Sequence, residues 1–392
     1  MPRRSRSFRL ALGVVLVVGS VAAGFWQRDW IAARGADAAD LVAGWATRLT
    51  DLAAAIPEAE IESRTVSADS RSMLVILGSG EADSAFALIA VSPTGVPAVV
   101  VLPRTLLLSV PGFGEFRLVD ALVFEGAGLA ALAVTNQFGV RIDQVVSLES
   151  GSVSAGLPGP VSVDLTSPLF AQGPSGVERL VPAGPSVVSP ELLERLLVEA
   201  GDGDPFEFIQ RQGAAWRAIL EQVAADPRVA DRLLAEGGGT PAADLLLSAA
   251  AHRGGVVATI PVERAESVAG SGLAPVSSRS DAFVAERLGH LLIRAEGRPR
   301  IEILNGNGRI GTTRVVAEVL VQNGFRLIRT DNADTFDHDT TLVIAQGDHA
   351  AAPAREIVEL LGRGSLFLEV RAPSGVVDVS IIVGDDIPSG EG

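Results

Sequence analysis

From Ile301 onward, short apolar runs alternate with amphipathic segments of about ten residues. Short runs rich in β-branched residues are typical of buried strands, and the longer segments repeat with the period of a helix. Strands that alternate with helices of this length favour a small α/β sandwich with right-handed crossover connections. The pattern predicts strands at residues 301–304, 325–329, 341–345, 366–370 and 377–383, and helices at residues 312–322 and 351–361.

Gly306, Gly308 and Gly311 have the spacing G-x-G-x-x-G between the first of these strands and the first helix, and Asp331 ends the next strand. Such a pattern is the dinucleotide-binding fingerprint. The remaining residues are too few for the two mononucleotide-binding halves of that site. We therefore interpret the glycines as a tight strand-to-helix turn, with a weak anion site at the helix N-terminus as the alternative.

The N-terminal segment predicts a membrane anchor. Four arginines within residues 1–9 precede residues 10–26, which carry no charge and are rich in Val, Leu, Ala and Gly. As a helix this run covers roughly 25 Å, close to the bilayer core of about 30 Å. Trp26 and Trp30 follow where interfacial aromatic residues are expected, and the charge asymmetry places the N-terminus inside. The alternative is a signal peptide cleaved at the small residues 20–22; in both cases the body leaves the cytoplasm.

The overall composition excludes several function classes. The chain of 392 residues has 47 acidic and 32 basic residues, for a net charge of −15. A nucleic-acid-binding protein needs a basic surface, so we expect no nucleic-acid partner. The sequence contains no cysteine, which excludes disulfides, thiolate catalysis and cysteine-bound metals.

The residues between the anchor and Ile301 contain helical and strand patterns without an internal repeat. Residues 31–56 have apolar side chains at roughly helical spacing and predict a stalk helix. Gly-Arg-Pro at residues 297–299 predicts a linker before the last domain. Strands are predicted at residues 73–78, 85–91, 99–102 and 141–148, and helices at residues 127–138, 191–199, 206–225, 242–251 and 281–294.

The C-terminal module resembles the LytR C-terminal domain. Ile-Leu-Asn-Gly-Asn-Gly-Arg-Ile-Gly at residues 303–311 is similar to the opening of that domain. Further similar segments are Asn-Gly-Phe at 323–325, Thr-Thr-Leu-Val at 340–343 and Val-Gly-Asp-Asp at 383–386. The resemblance covers the whole module, which commonly follows an LCP (LytR-CpsA-Psr) domain in envelope proteins.

His338 stands between Asp337 and Asp339, with His349 nearby. Histidines among carboxylates can bind a metal, but four ligands at metal-site spacing are not evident. We interpret this segment as a solvated acidic loop.

The middle of the chain resembles, in degenerate form, the LCP enzymes, which transfer glycopolymers from polyprenyl pyrophosphate carriers to peptidoglycan. The resemblance implies an α/β/α domain with a mixed central sheet, in which several arginines and an aspartate-bound Mg²⁺ hold the pyrophosphate. The similar segments are Ile-Leu-Gly at 76–78 (first strand), Leu-Pro-Arg at 102–104 (P-R-D), 117–121 with 125–126 (K-I-N-A-A…G-G), 139–143 (G-I-x-I-D) and Arg211-Gln212 (the R-Q of D-x-x-R-x-x-R-Q).

This sequence departs from the family at charged positions. Thr105 stands in place of the aspartate after P-R, and Phe208 in place of the first arginine of the last motif. Residues 196–200, which we equate with an arginine-bearing strand, contain no arginine, and R-x-D-T is reduced to residues 82–84. Because phosphate transfer relies on cations and metal, these losses argue against the family's activity. We therefore assign no catalytic residue. The resemblance leaves Arg104 and Arg211 as candidate phosphate-binding residues, and Asp83 and Asp120 as candidate Mg²⁺ ligands.

These inferences give an α/β protein in five parts: a basic tail (1–9), a transmembrane anchor (10–30), a helical stalk (31–66), a degenerate LCP-like domain (67–297) and a LytR C-terminal domain (298–388). We expect a non-catalytic binding, scaffolding or regulatory protein of the bacterial envelope. Its candidate partners are polyprenyl-phosphate lipid, peptidoglycan and other LCP proteins. The alternatives are an active glycopolymer phosphotransferase, with Asp83 or Asp120 binding Mg²⁺, and an interaction module for proteins or glycans built on the C-terminal domain.

Overall fold

The structure, a computed structural model, describes residues 70–388 apart from 81–82, 93–95, 174–175, 202, 236, 253–255, 296 and 370–374. The predicted basic tail, anchor and stalk helix lie outside the described residues. Within the part that is described, no helix combines the length and apolar character that crossing a bilayer requires.

The described residues contain the following elements. The strands are β1 (Arg71–Leu77), β2 (Ala85–Val91), β3 (Ala98–Leu102), β4 (Leu107–Val110), β5 (Gly114–Arg117), β6 (Gln144–Leu148), β7 (Val161–Leu165), β8 (Leu169–Gly173), β9 (Gly176–Val181), β10 (Gly184–Val188), β11 (Val257–Thr259), β12 (Val262–Ser267), β13 (Gly270–Pro275), β14 (Arg300–Asn305), β15 (Arg326–Asn332), β16 (Leu342–Gln346), β17 (Ser365–Glu369) and β18 (Val379–Val383). The helices are α1 (Leu118–Glu125), α2 (Ala127–Phe138), α3 (Ser152–Gly156), α4 (Pro190–Val198), α5 (Pro205–Ala225), α6 (Arg228–Leu233), α7 (Gly239–Ala250), α8 (Ser277–Leu288), α9 (Thr312–Gln322) and α10 (Ala351–Leu361).

A mixed five-stranded sheet in the order β11-β3-β2-β1-β6 is the centre of the middle domain. β1 pairs antiparallel with β2 and parallel with β6, and β3 pairs antiparallel with β2. The three central strands are buried almost throughout, which is why their sequences are continuous apolar runs rather than alternating ones. Such strands need cover on both faces, and the domain therefore has three layers.

Different helices cover the two faces of this sheet. Leu74, Ile76 and Leu88 belong to a core that also contains the buried residues of α1 and α2. Met73 and Ile89 point to the opposite core, shared with α4, α5 and α7. The arrangement is the α/β/α architecture with a mixed sheet that the sequence predicts.

Four antiparallel two-stranded sheets flank the layers among the described residues, and the sequence patterns did not predict them. They pair β4 with β5, β7 with β10, β8 with β9 and β12 with β13. The β4–β5 hairpin and α1 occupy the segment between the candidate residues Arg104 and Asp120, so they fix where those two side chains stand.

A second mixed five-stranded sheet forms the C-terminal domain, in the order β15-β14-β18-β16-β17. β14 runs parallel to both β15 and β18, and β16 runs antiparallel to β18. Ile301, Ile303, Val343 and Ile381 are fully buried on the face that packs against the apolar sides of α9 and α10. This two-layer arrangement confirms the predicted small α/β domain.

Predicted and observed elements agree best in the helices. The helices predicted at residues 127–138, 312–322 and 351–361 have those bounds in the structure. The last helix before the linker is Ser277–Leu288 rather than residues 281–294. The equation of residues 196–200 with a strand is wrong: residues 196–198 are the last turn of α4, whose proline and N-cap Ser189 start a helix.

Candidate functional site

One end of the first sheet carries two of the candidate residues, Arg104 and Asp83. Arg104 follows β3 by two residues, and Asp83 precedes β2 by two residues. Because β2 and β3 are antiparallel, with Phe86 opposite Leu102, the end of β3 and the start of β2 lie at the same edge. The structure therefore brings two sequence-predicted residues, one basic and one acidic, to neighbouring positions.

Arg104 and Arg211 meet at the ring of Phe208. The guanidinium carbon of Arg104 lies 5.3 Å from the ring centroid, and that of Arg211 lies 5.9 Å from it. Cations within about 6 Å of an aromatic centroid are attracted by the ring's negative face. The two candidate phosphate-binding residues thus lie on one aromatic side chain, at a position where the motif that this segment resembles has an arginine.

Both arginines also bind backbone carbonyl groups at the end of α4. Arg104 donates from Nη1 to the carbonyl oxygen of Val198 at 2.9 Å, and Arg211 donates from Nη2 to that of Ala200 at 2.6 Å. The last carbonyls of a helix have no partner within the helix and carry partial negative charge. In this position Arg104 stabilises the C-terminus of α4, and Arg211 binds the backbone two residues beyond that helix.

Arg211 is deeply buried. Its side chain is 2% exposed, and its Nη1 donates to the Ser167 hydroxyl at 3.4 Å. The carboxylate of Glu207 lies 4.0 Å from Nη1. Burial lowers the pKa of Arg211, and the nearby carboxylates of Glu207 and Glu199 oppose that shift. Nε is buried without a hydrogen-bond partner among the described residues, so the environment of this cation is only partly compensated.

The candidate metal ligands are engaged with other groups. Asp120 accepts from Arg117 through both carboxylate oxygens, at 2.7 and 2.9 Å, and from the Arg117 backbone amide at 3.0 Å. Asp83 closes the turn before β2 by accepting from the Gly80 amide at 2.8 Å, and its other oxygen lies 3.5 Å from the Ser150 hydroxyl. A guanidinium group directly on Asp120 repels a divalent cation, so Asp120 does not fit the Mg²⁺ that the resemblance implies.

The glycine turn before α9 is closed by asparagine side chains. Asn305 Oδ1 accepts from the amides of Asn307 and Gly308, at 3.2 and 2.9 Å, and Asn307 Oδ1 accepts from the amide of Arg309 at 3.0 Å. Gly308 and Gly311 have φ angles of +69° and +84°, which favour glycine. The turn has the packing role that we predicted. Its anion site stays a prediction, and the amides of Asn307, Gly308 and Arg309 already donate to asparagine side chains.

Gly306 shows why this turn needs a residue without a side chain. A Cβ atom at Gly306 would lie 2.6 Å from Ile382 Cγ2 and 2.9 Å from both the Val383 carbonyl oxygen and His338 Cδ2. His338 therefore packs on the turn, and its Nε2 lies 3.4 Å from the Thr335 hydroxyl. Nowhere in the described part of the chain do three or more metal-binding side chains cluster.

The apolar layer between the first sheet and helices α5 and α7 is closely packed. Trp216 of α5 lies there with Met73, Val75 and Ile89 of the sheet, around a cavity of about 20 Å³. A cavity of that size holds about one water molecule. This cavity is therefore far too small for a polyprenyl chain.

The C-terminal domain has a family match. Residues 298–386 match the family described as the LytR cell envelope-related transcriptional attenuator, LytR_C. Residues 298–386 form a LytR C-terminal domain. The match ends two residues before the predicted boundary and includes the glycine turn, β14–β18, α9 and α10. No curated protein matches the sequence.

Several solved structures are similar to part of this chain. B. subtilis TagV has 14% identity and a TM-score of 0.45, over 57% of this chain and 97% of its own. TagT bound to LI-WTA has 16% identity and a TM-score of 0.45, over 59% and 94%. The LytR-CPS2A-psr family protein YwtF (TagT) with bound octaprenyl pyrophosphate lipid has 15% identity and a TM-score of 0.41, over 59% and 94%. These are proteins of the family that the middle-domain motifs resemble; at such TM-scores the likeness carries no further argument.

Two features of this site were missed by the sequence analysis. Phe208 was noted as a lost arginine, but its position between the two remaining arginines depends on the packing of α5 against the end of α4. Arg117 was placed within a motif and not as the partner of Asp120. Their spacing of three residues is a signal that could have found this pair if helix α1, which was not predicted, had been recognised.

Proposed function

We propose that this protein is a non-catalytic, LCP-like protein of the bacterial cell envelope that binds or organises the components of glycopolymer attachment without transferring the polymer. The LytR C-terminal domain and the LCP-like motifs of the middle domain support the envelope role. TagT, one of the similar structures, is bound to octaprenyl pyrophosphate lipid in one case and to LI-WTA in another. Lipid-linked polymer, peptidoglycan and other LCP proteins are the partners that the motif resemblance implies and that we propose.

The observation that carries the non-catalytic proposal is the environment of Arg104 and Arg211. A transferase needs cations that are free to stabilise the charge on the phosphate groups in the transition state. Here the two arginines bind the carbonyls of Val198 and Ala200 and face the ring of Phe208. Moving either guanidinium group to a phosphate would remove the donor from a partly buried carbonyl, which costs free energy.

The apolar layer around Trp216 supports the same proposal. A polyprenyl carrier needs an extended apolar cavity, and the cavity beside Trp216 has space for about one water molecule. A protein with this packing does not bury the lipid tail of a substrate between the sheet and α5. Recognition of a lipid-linked polymer by this chain would then involve the polymer or the headgroup.

A transfer assay tests the proposal. Purified full chain is incubated with polyprenyl-pyrophosphate-linked glycopolymer, peptidoglycan and Mg²⁺, and transfer of labelled polymer is measured. We expect no transfer above the rate without protein, whereas an LCP enzyme with the complete arginine set transfers polymer under the same conditions. Transfer by this chain that is lost in Arg104→Ala would refute the non-catalytic proposal.

The variant Phe208→Arg is a matched probe of the same site. It returns the family's residue to the position between Arg104 and Arg211 and replaces a stacked ring with a third cation. The three like charges repel one another, and a bound anion would relieve that repulsion. We therefore expect added pyrophosphate to raise the melting temperature of this variant but not that of the wild-type chain. Equal stabilisation of both proteins by pyrophosphate would mean that the two wild-type arginines are available to phosphate.

The proposed location is the cell membrane, with the N-terminus inside and the body outside. The support is sequence alone, namely the arginines before residues 10–26 and the tryptophans after them. We expect the mature chain to stay with membranes after alkaline washing and to retain residues 10–26 when its N-terminal peptide is identified by mass spectrometry. A mature chain that begins just after residues 20–22 would contradict the anchor and favour a cleaved signal peptide.

A further inference from the structure

Asn136, near the end of α2, makes an unusual contact with the LytR C-terminal domain. Its Nδ2 donates to the carbonyl oxygen of Leu327 on β15 at 3.0 Å, and its Oδ1 accepts from the amide of the same residue at 2.8 Å. Nδ2 also donates to the carbonyl oxygen of Ser109 at 3.1 Å. The side chain is 1% exposed. The side-chain amide of Asn136 thus both donates to and accepts from the backbone of the edge strand β15, as the backbone of a neighbouring strand would.

Arg298 joins the two domains from the linker. It donates from Nη1 to the carbonyl oxygen of Asn136 at 2.8 Å, from Nη2 to that of Phe325 at 2.9 Å and from Nε to that of Gly324 at 3.2 Å. One planar guanidinium group therefore binds the end of α2 and the start of β15 together. A Cβ atom at Gly139 would lie 2.7 Å from Arg298 Cδ, so glycine is required for this close approach.

The apolar core continues across the same boundary. A single cluster of buried residues contains Leu129, Ala133 and Val134 of α2 together with Val316 and Leu320 of α9. Arg314 of α9 forms an ion pair with Glu125 of α1 at 2.5 Å at the margin of this contact. Domains joined by a large apolar interface do not move freely with respect to each other.

We propose that the LytR C-terminal domain is a structural part of the middle domain, and that the two unfold as one cooperative unit through the contact of α2 with α9 and β15. α2 directly follows α1, which carries Asp120, so the C-terminal domain also holds the helix pair beside the candidate site. A partner that binds the C-terminal domain then acts on a rigid body rather than on a module at the end of a free linker.

The test introduces a cavity on one side and measures unfolding on the other. Ile381 is fully buried on β18, the central strand of the C-terminal sheet. Trp216 reports on the middle domain when Trp26, Trp30 and Trp45 are changed to phenylalanine in the full chain. We expect Ile381→Ala to lower two urea midpoints by the same amount. One is that of the Trp216 fluorescence signal, and the other is that at which the amides of β14 lose their protection from hydrogen exchange. Ile381→Val gives a smaller, parallel shift if the alanine variant does not fold.

Asn136→Leu probes the interface itself. It keeps the size of the side chain and leaves the Leu327 amide and carbonyl buried without partners, so we expect exchange of that amide and of residues 127–138 to rise about tenfold or more. Asn323→Ala is the matched control, because its amide bonds only to the Val319 carbonyl of its own helix. The proposal is overturned if Ile381→Ala shifts β14 but not Trp216, or if Asn136→Leu accelerates exchange in one domain alone.

Discussion

Replacing Trp216 with alanine will lower the free energy of unfolding by about 3–5 kcal/mol. The indole side chain is 8% exposed and packs between the first sheet and α7, against Met73, Val75 and Ile89. Its removal enlarges a cavity of about 20 Å³ by most of the volume of the side chain. Strands on one wall and helices on the other restrict collapse, and the cost of a core truncation rises with the cavity that remains.

Urea unfolding followed by circular dichroism measures this loss. Tryptophan fluorescence is unsuitable, because the substitution removes Trp216 and the other three tryptophans lie outside the described residues. Phe367→Ala is the matched control, because Phe367 is 53% exposed and its truncation is expected to change stability by about 0.5 kcal/mol or less. A loss below about 1 kcal/mol for Trp216→Ala would contradict the prediction and indicate that the layer can rearrange.

The same variant also bears on lipid binding. An engineered apolar cavity can take up apolar molecules that the wild-type core excludes. We expect a short isoprenoid alcohol to raise the melting temperature of Trp216→Ala and to leave that of the wild type unchanged. Stabilisation of the wild type by the isoprenoid would mean that the layer opens to lipid without any mutation, against the proposed function.

The elements that the sequence predicted well are those with a strong local signal. α2 and α10 have long apolar patterns and end at Gly139 and Gly362, both in the left-handed conformation that ends helices. α9 begins directly after Gly311, which also has a positive φ angle. Periodicity and glycine punctuation act over a few residues, so they can be recognised without knowing the rest of the fold.

The flanking two-stranded sheets had weaker signals. β9 (Gly176–Val181) is exposed along most of its length and has no alternation to recognise. β7 (Val161–Leu165) alternates strictly between buried and exposed residues, so its pattern was present in the sequence and was overlooked. Strands that pair in isolated hairpins depend on partners elsewhere in the chain, and short segments alone rarely decide between strand and loop.

The candidate site divides in the same way. Motif resemblance identified Arg104 and Arg211, and both lie on the ring of Phe208. Their hydrogen bonds to Val198 and Ala200 could not be predicted, because only the fold brings those carbonyls to them. Asn136 lies between Thr135 and Gln137 at the polar end of α2, so the sequence did not set it apart. Its partner is Leu327, distant in sequence, so only the fold reveals that this amide joins two domains.

Arg298→Ala will destabilise the whole protein by about 3 kcal/mol. The guanidinium group donates to three carbonyls, those of Asn136, Gly324 and Phe325, and each net hydrogen bond contributes about 1 kcal/mol, or more when the donor is charged. Burial, followed by repulsion from Arg326 and Arg294, lowers the pKa of Arg298 to about 10. The side chain therefore remains protonated near neutral pH and keeps all of its donors.

The substitution Arg298→Lys separates geometry from charge. A lysine ammonium group is a single point and cannot reproduce the planar fork that reaches three carbonyls on two domains, so we expect it to restore less than half of the loss. Arg309→Ala is the control: Arg309 pairs with Asp385 at 3.1 Å, both side chains are about half exposed, and such pairs contribute about 0–1 kcal/mol. If Arg298→Ala accelerates exchange only at residues 323–326 and leaves the Trp216 midpoint unchanged, Arg298 merely caps a loop. If Arg298→Ala instead lowers the Trp216 midpoint and the protection of the C-terminal sheet together, one guanidinium group at the linker makes the two sheets a single cooperative structure.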